Sequence, residues 1–122
     1  MIDDDAVFAT DLILLLRESY RVVHAASLEG VDEFITTQKP DLILSDVHLG
    51  PEESGFDLLS RLSKNGVGIP VLMMSDSPSI KLVVKAMNLG AEGFITKSTD
   101  TKELLNAIDE VFQKQKARKQ NF

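Results

Sequence analysis

Short apolar runs alternate along the chain with segments in which apolar residues recur every three or four positions. The apolar runs are typical of buried strands and lie at residues 21–25, 42–47, 71–74 and 93–96. The intervening segments are typical of amphipathic helices and carry apolar stripes that begin at Phe8, Leu28, Phe56, Ile80 and Leu104. Regular alternation of strands and helices predicts a parallel sheet with helices on both faces.

Turn-forming residues separate these elements. Pro40 precedes the predicted third strand, Ser77-Pro78 would begin the fourth helix, and Gly90 would end it. The first strand is less clear, because only Met1 and Ile2 precede a run of three aspartates. Either this strand is very short, or the given chain begins inside it.

The length and composition suit one compact domain. The chain has 122 residues, of which 43% are hydrophobic and 26% charged, as in ordinary soluble globular proteins. No internal repeat divides it, and the one change of composition comes near Gln113. We therefore expect a domain over residues 1–112, followed by a basic helix end or linker over residues 113–122.

Charge and composition exclude several classes of function. The net charge is −6 although the last ten residues hold four cations and no acid, so the rest of the chain is acidic and disfavours direct nucleic-acid binding. Because cysteine is absent, neither a disulfide nor a thiolate zinc site can form, and a cytoplasmic location fits. No apolar stretch approaches the roughly 20 residues that cross a bilayer, so we expect no membrane association.

Polar residues stand where the predicted strands end. They are Asp3, Asp4 and Asp5 after the first strand, Asp46 in the third, Ser75 in the fourth and Lys97 in the fifth. Ligands of open parallel sheets bind beyond the carboxyl ends of the strands. Carboxylates gathered there repel one another, which requires a cation or raises a pKa. Oxygen ligands without a histidine or cysteine cluster favour Mg²⁺.

This set of residues suits phosphoryl transfer. The reaction requires mainly positioning and neutralisation of the phosphoryl oxygens, which Mg²⁺, the Ser75 hydroxyl and the Lys97 ammonium would supply. Asp46 is the carboxylate placed to attack phosphorus and form an acyl phosphate. His24, on the predicted second strand, is interpreted as a packed histidine rather than a phosphocarrier.

The same residues, in this order, resemble the CheY-like receiver domains of two-component response regulators. The resemblance rests on the acidic run 3–5, the segment 40–46, Ser75 and the segment 90–97, and it extends over nearly the whole chain. It implies an α/β, flavodoxin-like fold, with a doubly wound five-stranded parallel sheet in the order 2-1-3-4-5.

The resemblance also implies a role for each site residue. Asp46 would be the phosphoacceptor, assisted by Lys97 and Ser75. The Mg²⁺ ion would be held by Asp4, Asp46 and the main-chain carbonyl of His48, with Asp3 acting through water. Ser75 and Phe94 would form the switch that reports phosphorylation.

Three features depart from the usual receiver pattern. Lys97-Ser98 replaces the Lys-Pro pair, so we expect a trans peptide bond there. This variant is similar to receivers that precede the helix-turn-helix domains of NarL- and FixJ-type regulators. The loop 49–55 is one residue longer than usual, and Asp76 stands where a small residue is common.

The implied function is signalling rather than enzymatic turnover, apart from catalysis of the domain's own phosphorylation and dephosphorylation. A sensor histidine kinase or phosphotransfer protein would supply the phosphoryl group. Activated protein would form homodimers, and DNA would be bound by an output domain that is not part of this chain. The alternatives are a stand-alone or pseudo-receiver interaction module, or a phosphatase of the haloacid dehalogenase type. Such a phosphatase requires a second acid where this chain has His48.

Overall fold

The computed structural model describes residues 1–120, so Asn121 and Phe122, the end of the predicted basic tail, lie outside the described residues. Two helices come first in the chain, and from the first strand onward strands and helices alternate. The helices are α1 (Ala6–Leu16), α2 (Val31–Gln38), α3 (Gly55–Lys64), α4 (Ile80–Asn88) and α5 (Thr101–Gln120). The strands are β1 (Ile43–Asp46), β2 (Val71–Ser75) and β3 (Gly93–Thr96). Within residues 1–120, no helix is both long and apolar enough to span a bilayer.

The three strands form a parallel sheet in the order β1-β2-β3. Asp46 pairs with Met74, and Ser75 pairs with Thr96, so the strands end close to the same edge. The α/β class and the parallel sheet are therefore confirmed.

The predicted five-strand order is not confirmed, because the first two predicted strands are reduced to isolated bridges. Ile2 forms parallel bridges with Ala25 and with Ser45. Its amide donates to the Leu44 carbonyl at 2.7 Å, and its carbonyl accepts from the Asp46 amide at 2.9 Å.

Two apolar clusters lie on opposite faces of the sheet, as the alternation of strands and helices predicts. One contains buried side chains of α2, α3 and α4 together with Ile43, Val71 and Met73. The other contains buried side chains of α1 and α5 together with Leu44 and Met74. Successive strand residues point to opposite faces, so a continuous apolar run supplies both clusters.

Helix ends differ in detail from the sequence prediction. Helix α4 is capped by Ser79, whose side chain accepts from the Leu82 amide at 3.2 Å, so the prediction that Ser77-Pro78 begins this helix was wrong by two residues. Gly90 follows α4 with φ +101°, a conformation that glycine adopts readily. Helix α5 continues to Gln120, and Arg118 Nη1 lies 3.0 Å from Glu92 Oε1.

Gly55, the first residue of α3, packs tightly beneath the end of β1. Its amide donates to the Val47 carbonyl at 2.8 Å. A Cβ atom at this position would overlap the Asp46 carbonyl oxygen and the Met73 methyl group. The backbone of Asp46 is therefore supported from below by a residue that must have no side chain.

We expect Gly55→Ala to lower the free energy of unfolding by about 1–3 kcal/mol, the usual cost of overpacking a well-filled interior. Gly68→Ala is the matched control, because a Cβ there meets nothing within 4 Å. Urea denaturation of both variants measures the difference. Equal unfolding midpoints for the two variants would contradict the proposed clash.

Candidate functional site

The polar residues singled out in the sequence converge at the carboxyl edge of the sheet. Asp46 ends β1 and Ser75 ends β2. Lys97 directly follows β3, and its amide donates to the Ser75 carbonyl at 2.9 Å. Asp3 follows the bridged residue Ile2. Parallel pairing thus brings residues that are far apart in sequence to one place.

Three carboxylates meet at this edge. Asp3, Asp4 and Asp46 each offer an oxygen, and these oxygens lie within 4.8 Å of one another. Asp3 and Asp46 are buried, whereas Asp4 is exposed. Asp5 is not part of this cluster. Its side chain instead caps α1 by accepting a hydrogen bond from the Phe8 amide at 3.1 Å.

A single ammonium group bridges the two buried carboxylates. Lys97 Nζ lies 2.8 Å from Asp3 Oδ2 and 2.9 Å from Asp46 Oδ2. It also lies 4.8 Å from the centre of the Phe8 ring, a cation–π distance. The sequence pattern assigned Phe8 only to the apolar stripe of α1, so its contact with the site was not predicted.

The electrostatics of the two partners follow from their burial. Burial raises the pKa of Asp46, and hydrogen bonds from Lys97 and from the His48 amide oppose this rise without cancelling it. Burial by itself would lower the pKa of Lys97, but the hydrogen bonds and charges of Asp3 and Asp46 outweigh it and raise that pKa. Lys97 is therefore a cation at neutral pH, while burial makes the charged form of Asp46 costly.

The donor set fits a hard divalent cation. Asp3 Oδ2 is buried, and among residues 1–120 its recorded polar contact is the 2.8 Å ion pair with Lys97 Nζ. Three carboxylates gather at this edge and one ammonium group pairs with two of them, which leaves an excess of negative charge there. Carboxylate oxygens in this number suit Mg²⁺, which retains several waters and binds phosphate oxygens.

Ser75 ends the strand beside the one that Asp46 ends, and His48 lies two residues after Asp46. Ser75 is fully buried, and its Oγ accepts from the Ser77 amide at 3.2 Å, so its hydroxyl proton is free to be donated elsewhere. The His48 amide donates to Asp46 Oδ1 at 3.2 Å, while the His48 residue is exposed. The backbone of His48 therefore faces the site.

Phe94, the predicted aromatic switch, does not lie at the edge itself. It pairs in register with Met73 and packs, partly buried, against the cluster that contains α4. Asp76 follows Ser75 and is exposed. All described peptide bonds are trans, which confirms the expectation for Lys97-Ser98.

The interpretation of His24 as a packed histidine was wrong. Its residue is exposed, and its ring Nε2 lies 2.8 Å from the main-chain carbonyl oxygen of Asp3. The prediction failed because the segment 21–24 forms no strand, so its alternating side chains are not held between two packed layers.

Comparisons with known proteins agree with this geometry. The family model described as the response regulator receiver domain matches residues 1–109. The chain is 35% identical over 107 residues to the uncharacterized transcriptional regulatory protein YbdJ of Bacillus subtilis, a match covering 86% of the chain and 46% of that relative. It is 33% identical over 117 residues to the DNA-binding transcriptional regulator NtrC of Rhizobium meliloti, covering 95% of the chain and 24% of that relative.

A solved structure shows the same fold. The response regulator receiver domain protein (CheY-like) from Methanospirillum hungatei matches with a TM-score of 0.86 and 28% identity, covering 96% of this chain and 94% of the other. The chain spans less than half the length of the two curated relatives. From the family match and the fold, the chain belongs to the receiver domains of two-component response regulators.

Proposed function

We propose that this receiver accepts a phosphoryl group on Asp46 in a reaction that requires Mg²⁺. The observation that carries the proposal is the position of the Asp46 carboxylate. It lies 2.9 Å from the Lys97 ammonium and shares a 4.8 Å cluster with the oxygens of Asp3 and Asp4. An anionic nucleophile, a permanent cation and a set of metal ligands therefore meet at one sheet edge.

The phosphodonor would be a phosphohistidine of a sensor histidine kinase or phosphotransfer protein. An Asp46 carboxylate oxygen forms a bond to phosphorus while the phosphorus–nitrogen bond breaks, and the imidazole leaves with that electron pair. Lys97 and Ser75 are placed to pair with two phosphoryl oxygens, one by charge and one by its hydroxyl proton. Bound Mg²⁺ would supply the remaining neutralisation of charge.

Asp4, Asp46 and the His48 carbonyl are the proposed metal ligands, with Asp3 acting through water. Both oxygens of Asp3 are already engaged, since Oδ1 accepts from the Asp5 amide at 2.8 Å and Oδ2 contacts Lys97 at 2.8 Å. The carboxylate of Asp4 has no such contacts among the described residues. This difference supports a direct role for Asp4 and an indirect one for Asp3.

The switch and its output complete the proposal. Phosphate draws the Ser75 hydroxyl inward, and Phe94 follows, which changes the surface of α4, β3 and α5. Exposed apolar side chains of α4 at Ile80, Val84 and Met87 support association through this surface, including homodimers on activation. The bridges of Ile2 to Ala25 and Ser45 support the five-strand order 2-1-3-4-5.

The cellular role is proposed from the relatives. Both curated relatives are named transcriptional regulators and are more than twice as long as the matched region. We propose a cytoplasmic regulator of transcription, in which DNA is bound by an output domain rather than by this acidic domain. The Lys97-Ser98 pair supports an output domain of the NarL or FixJ type.

The first test maps the phosphoryl group. Incubation with acetyl phosphate and Mg²⁺ should add one phosphoryl group to the wild-type protein and none to Asp46→Asn, as read by intact-mass and peptide mass spectrometry. Asp41→Asn removes an exposed acid two residues before β1 begins and should react like the wild type. Phosphate on any other residue, or phosphorylation without Mg²⁺, would contradict the proposal.

The second test separates the two neighbouring acids. Asp4→Asn should weaken Mg²⁺ binding by about tenfold or more, because it removes a direct ligand, whereas Asp3→Asn should have a smaller effect. Asp11→Asn, an exposed acid on α1, is the control. Isothermal titration with Mg²⁺ measures all four proteins, and equal losses for Asp3→Asn and Asp4→Asn would refute the assignment.

The third test uses the pH dependence of stability in the absence of metal. Because the pKa of Asp46 is raised in the fold, the folded protein binds this proton more tightly than the unfolded chain does. This group therefore adds stability as the pH falls through its folded pKa, and the gain is complete only below its ordinary pKa. In EDTA, Asp46→Asn should be more stable than the wild type near neutral pH, with a difference that shrinks on acidification.

Saturating Mg²⁺ provides the control for this comparison. The wild type gains a bound ligand that the asparagine variant holds less well, so the order of stability should reverse. Urea denaturation between acid and neutral pH measures both series. A difference that grows as the pH falls would show that the sign of the Asp46 effect is wrong.

A further inference from the structure

His24 contacts the acidic turn through its side chain. Its ring Nε2 lies 2.8 Å from the main-chain oxygen of Asp3, across 21 residues of sequence. A carbonyl oxygen only accepts hydrogen bonds, so Nε2 must carry the proton and donate it. The neutral imidazole is sufficient for this bond, because the second ring nitrogen takes no part in it.

This contact replaces a missing rung of the backbone ladder. The Ala25 amide donates to the Met1 carbonyl at 2.9 Å, and the Asp3 amide donates to the Ala25 carbonyl at 3.0 Å. The next rung of a parallel ladder would join the Ser27 amide to the Asp3 carbonyl. Among residues 1–120 that bond is absent, and the His24 side chain supplies the donor instead.

The bond from His24 to the Asp3 carbonyl is important because the Asp3 side chain makes two further contacts within the site. Its carboxylate accepts from the Asp5 amide at 2.8 Å through Oδ1 and contacts Lys97 Nζ at 2.8 Å through Oδ2. Its carbonyl belongs to the peptide group that leads directly to Asp4. The bond from His24 thus holds the peptide plane from which the Asp4 carboxylate extends toward Asp46.

Few hydrogen bonds hold the backbone of the turn between Ile2 and α1. Ile2 forms bridges with Ala25 on one side and Ser45 on the other, and the turn follows it. Helix α1 begins at Ala6. The backbone of Asp3 is held by the bond of its amide to the Ala25 carbonyl and by the His24 side chain. The side chains of the turn are held by the Asp5 amide, by Lys97 and by the cap that Asp5 forms on α1. Loss of the side-chain bond would leave the Asp3–Asp4 peptide group free to rotate.

We propose that His24 is a positioning residue, whose Nε2–H holds the Asp3 carbonyl and thereby fixes the acidic turn in the conformation that gathers the carboxylates. The expected effect of His24 on Mg²⁺ affinity rests on the function proposed above. The expected effect of His24 on the order of the metal-free turn is independent of that function. The residue lies outside the metal site itself and acts only through the backbone of Asp3.

Three substitutions of His24 distinguish the effect of its N–H donor from the effects of side-chain size and polarity. Glutamine places an amide N–H at about the distance of Nε2 from the backbone, and asparagine places it nearer, at about that of Nδ1. Leucine removes the donor altogether. His24→Gln should therefore retain the bond, whereas His24→Asn and His24→Leu should lose it, although all three residues stand at an exposed position.

The first measurement is hydrogen exchange of the Asp5 amide in the metal-free 122-residue chain, followed by NMR. This amide donates to Asp3 Oδ1 and reports the order of the turn. We expect exchange about fivefold faster in His24→Asn and His24→Leu, the effect of losing one ordinary hydrogen bond, and near-wild-type exchange in His24→Gln. Unchanged exchange in all variants, or equal acceleration in all three, would overturn the proposal.

The second measurement is Mg²⁺ titration of the same proteins, with urea denaturation in EDTA alongside. Mg²⁺ affinity should fall about tenfold in His24→Asn and His24→Leu, as is typical when support of a ligand is lost, and should be restored in His24→Gln. A loss of affinity that follows the unfolding midpoint across the three variants would indicate general destabilisation and would count against positioning.

The two measurements also distinguish failure of this inference from failure of the proposed function. If wild-type protein binds Mg²⁺ no better than Asp4→Asn, the proposed metal site is wrong, but the exchange of the Asp5 amide still decides the role of His24. If the wild type binds Mg²⁺ and His24→Asn matches it in both affinity and exchange, the positioning role is refuted while the metal site stands.

Discussion

The ion-pair network of Lys97 with Asp3 and Asp46 is the interaction on which the rest of the site depends. Each of these groups is buried, and a buried charge without a partner costs several kcal/mol. The two acids also repel one another, which the shared ammonium group relieves. Lys97 interacts with both carboxylates at once, so a change in charge at Asp46 must alter the balance of its contacts.

The order of the strands makes this ion-pair network extend across all three strands of the sheet. The strands that carry Asp46 and Lys97 are not neighbours, because β2 lies between them. The ion pair therefore passes across the end of β2, where Ser75 is buried and where the Lys97 amide is bound to the Ser75 carbonyl. Under the proposed function, a phosphoryl group on β1 would act on β2 through a hydroxyl and on β3 through an ammonium group.

The backbone around the site is constrained as closely as its charges. Gly55 leaves room for the Asp46 carbonyl beneath β1, and the His24 ring completes the ladder beside Asp3. Neither residue is recorded in contact with the Lys97 ammonium. Gly55 lies against the backbone of Asp46, and His24 contacts the backbone of Asp3, so each touches the main chain of a residue that carries a site carboxylate.

The sequence by itself determined the fold class, the three strands of the sheet and the residues that meet at its edge. Apolar runs and helical stripes are local patterns, and parallel strands necessarily bring their carboxyl ends together, so Asp46, Ser75 and Lys97 were predictable. The tertiary structure alone decided that the first two predicted strands are only bridges, that Ser79 rather than Ser77 caps α4, and that His24 reaches the Asp3 carbonyl. Those outcomes depend on where unlike segments approach one another in space, which no local periodicity encodes.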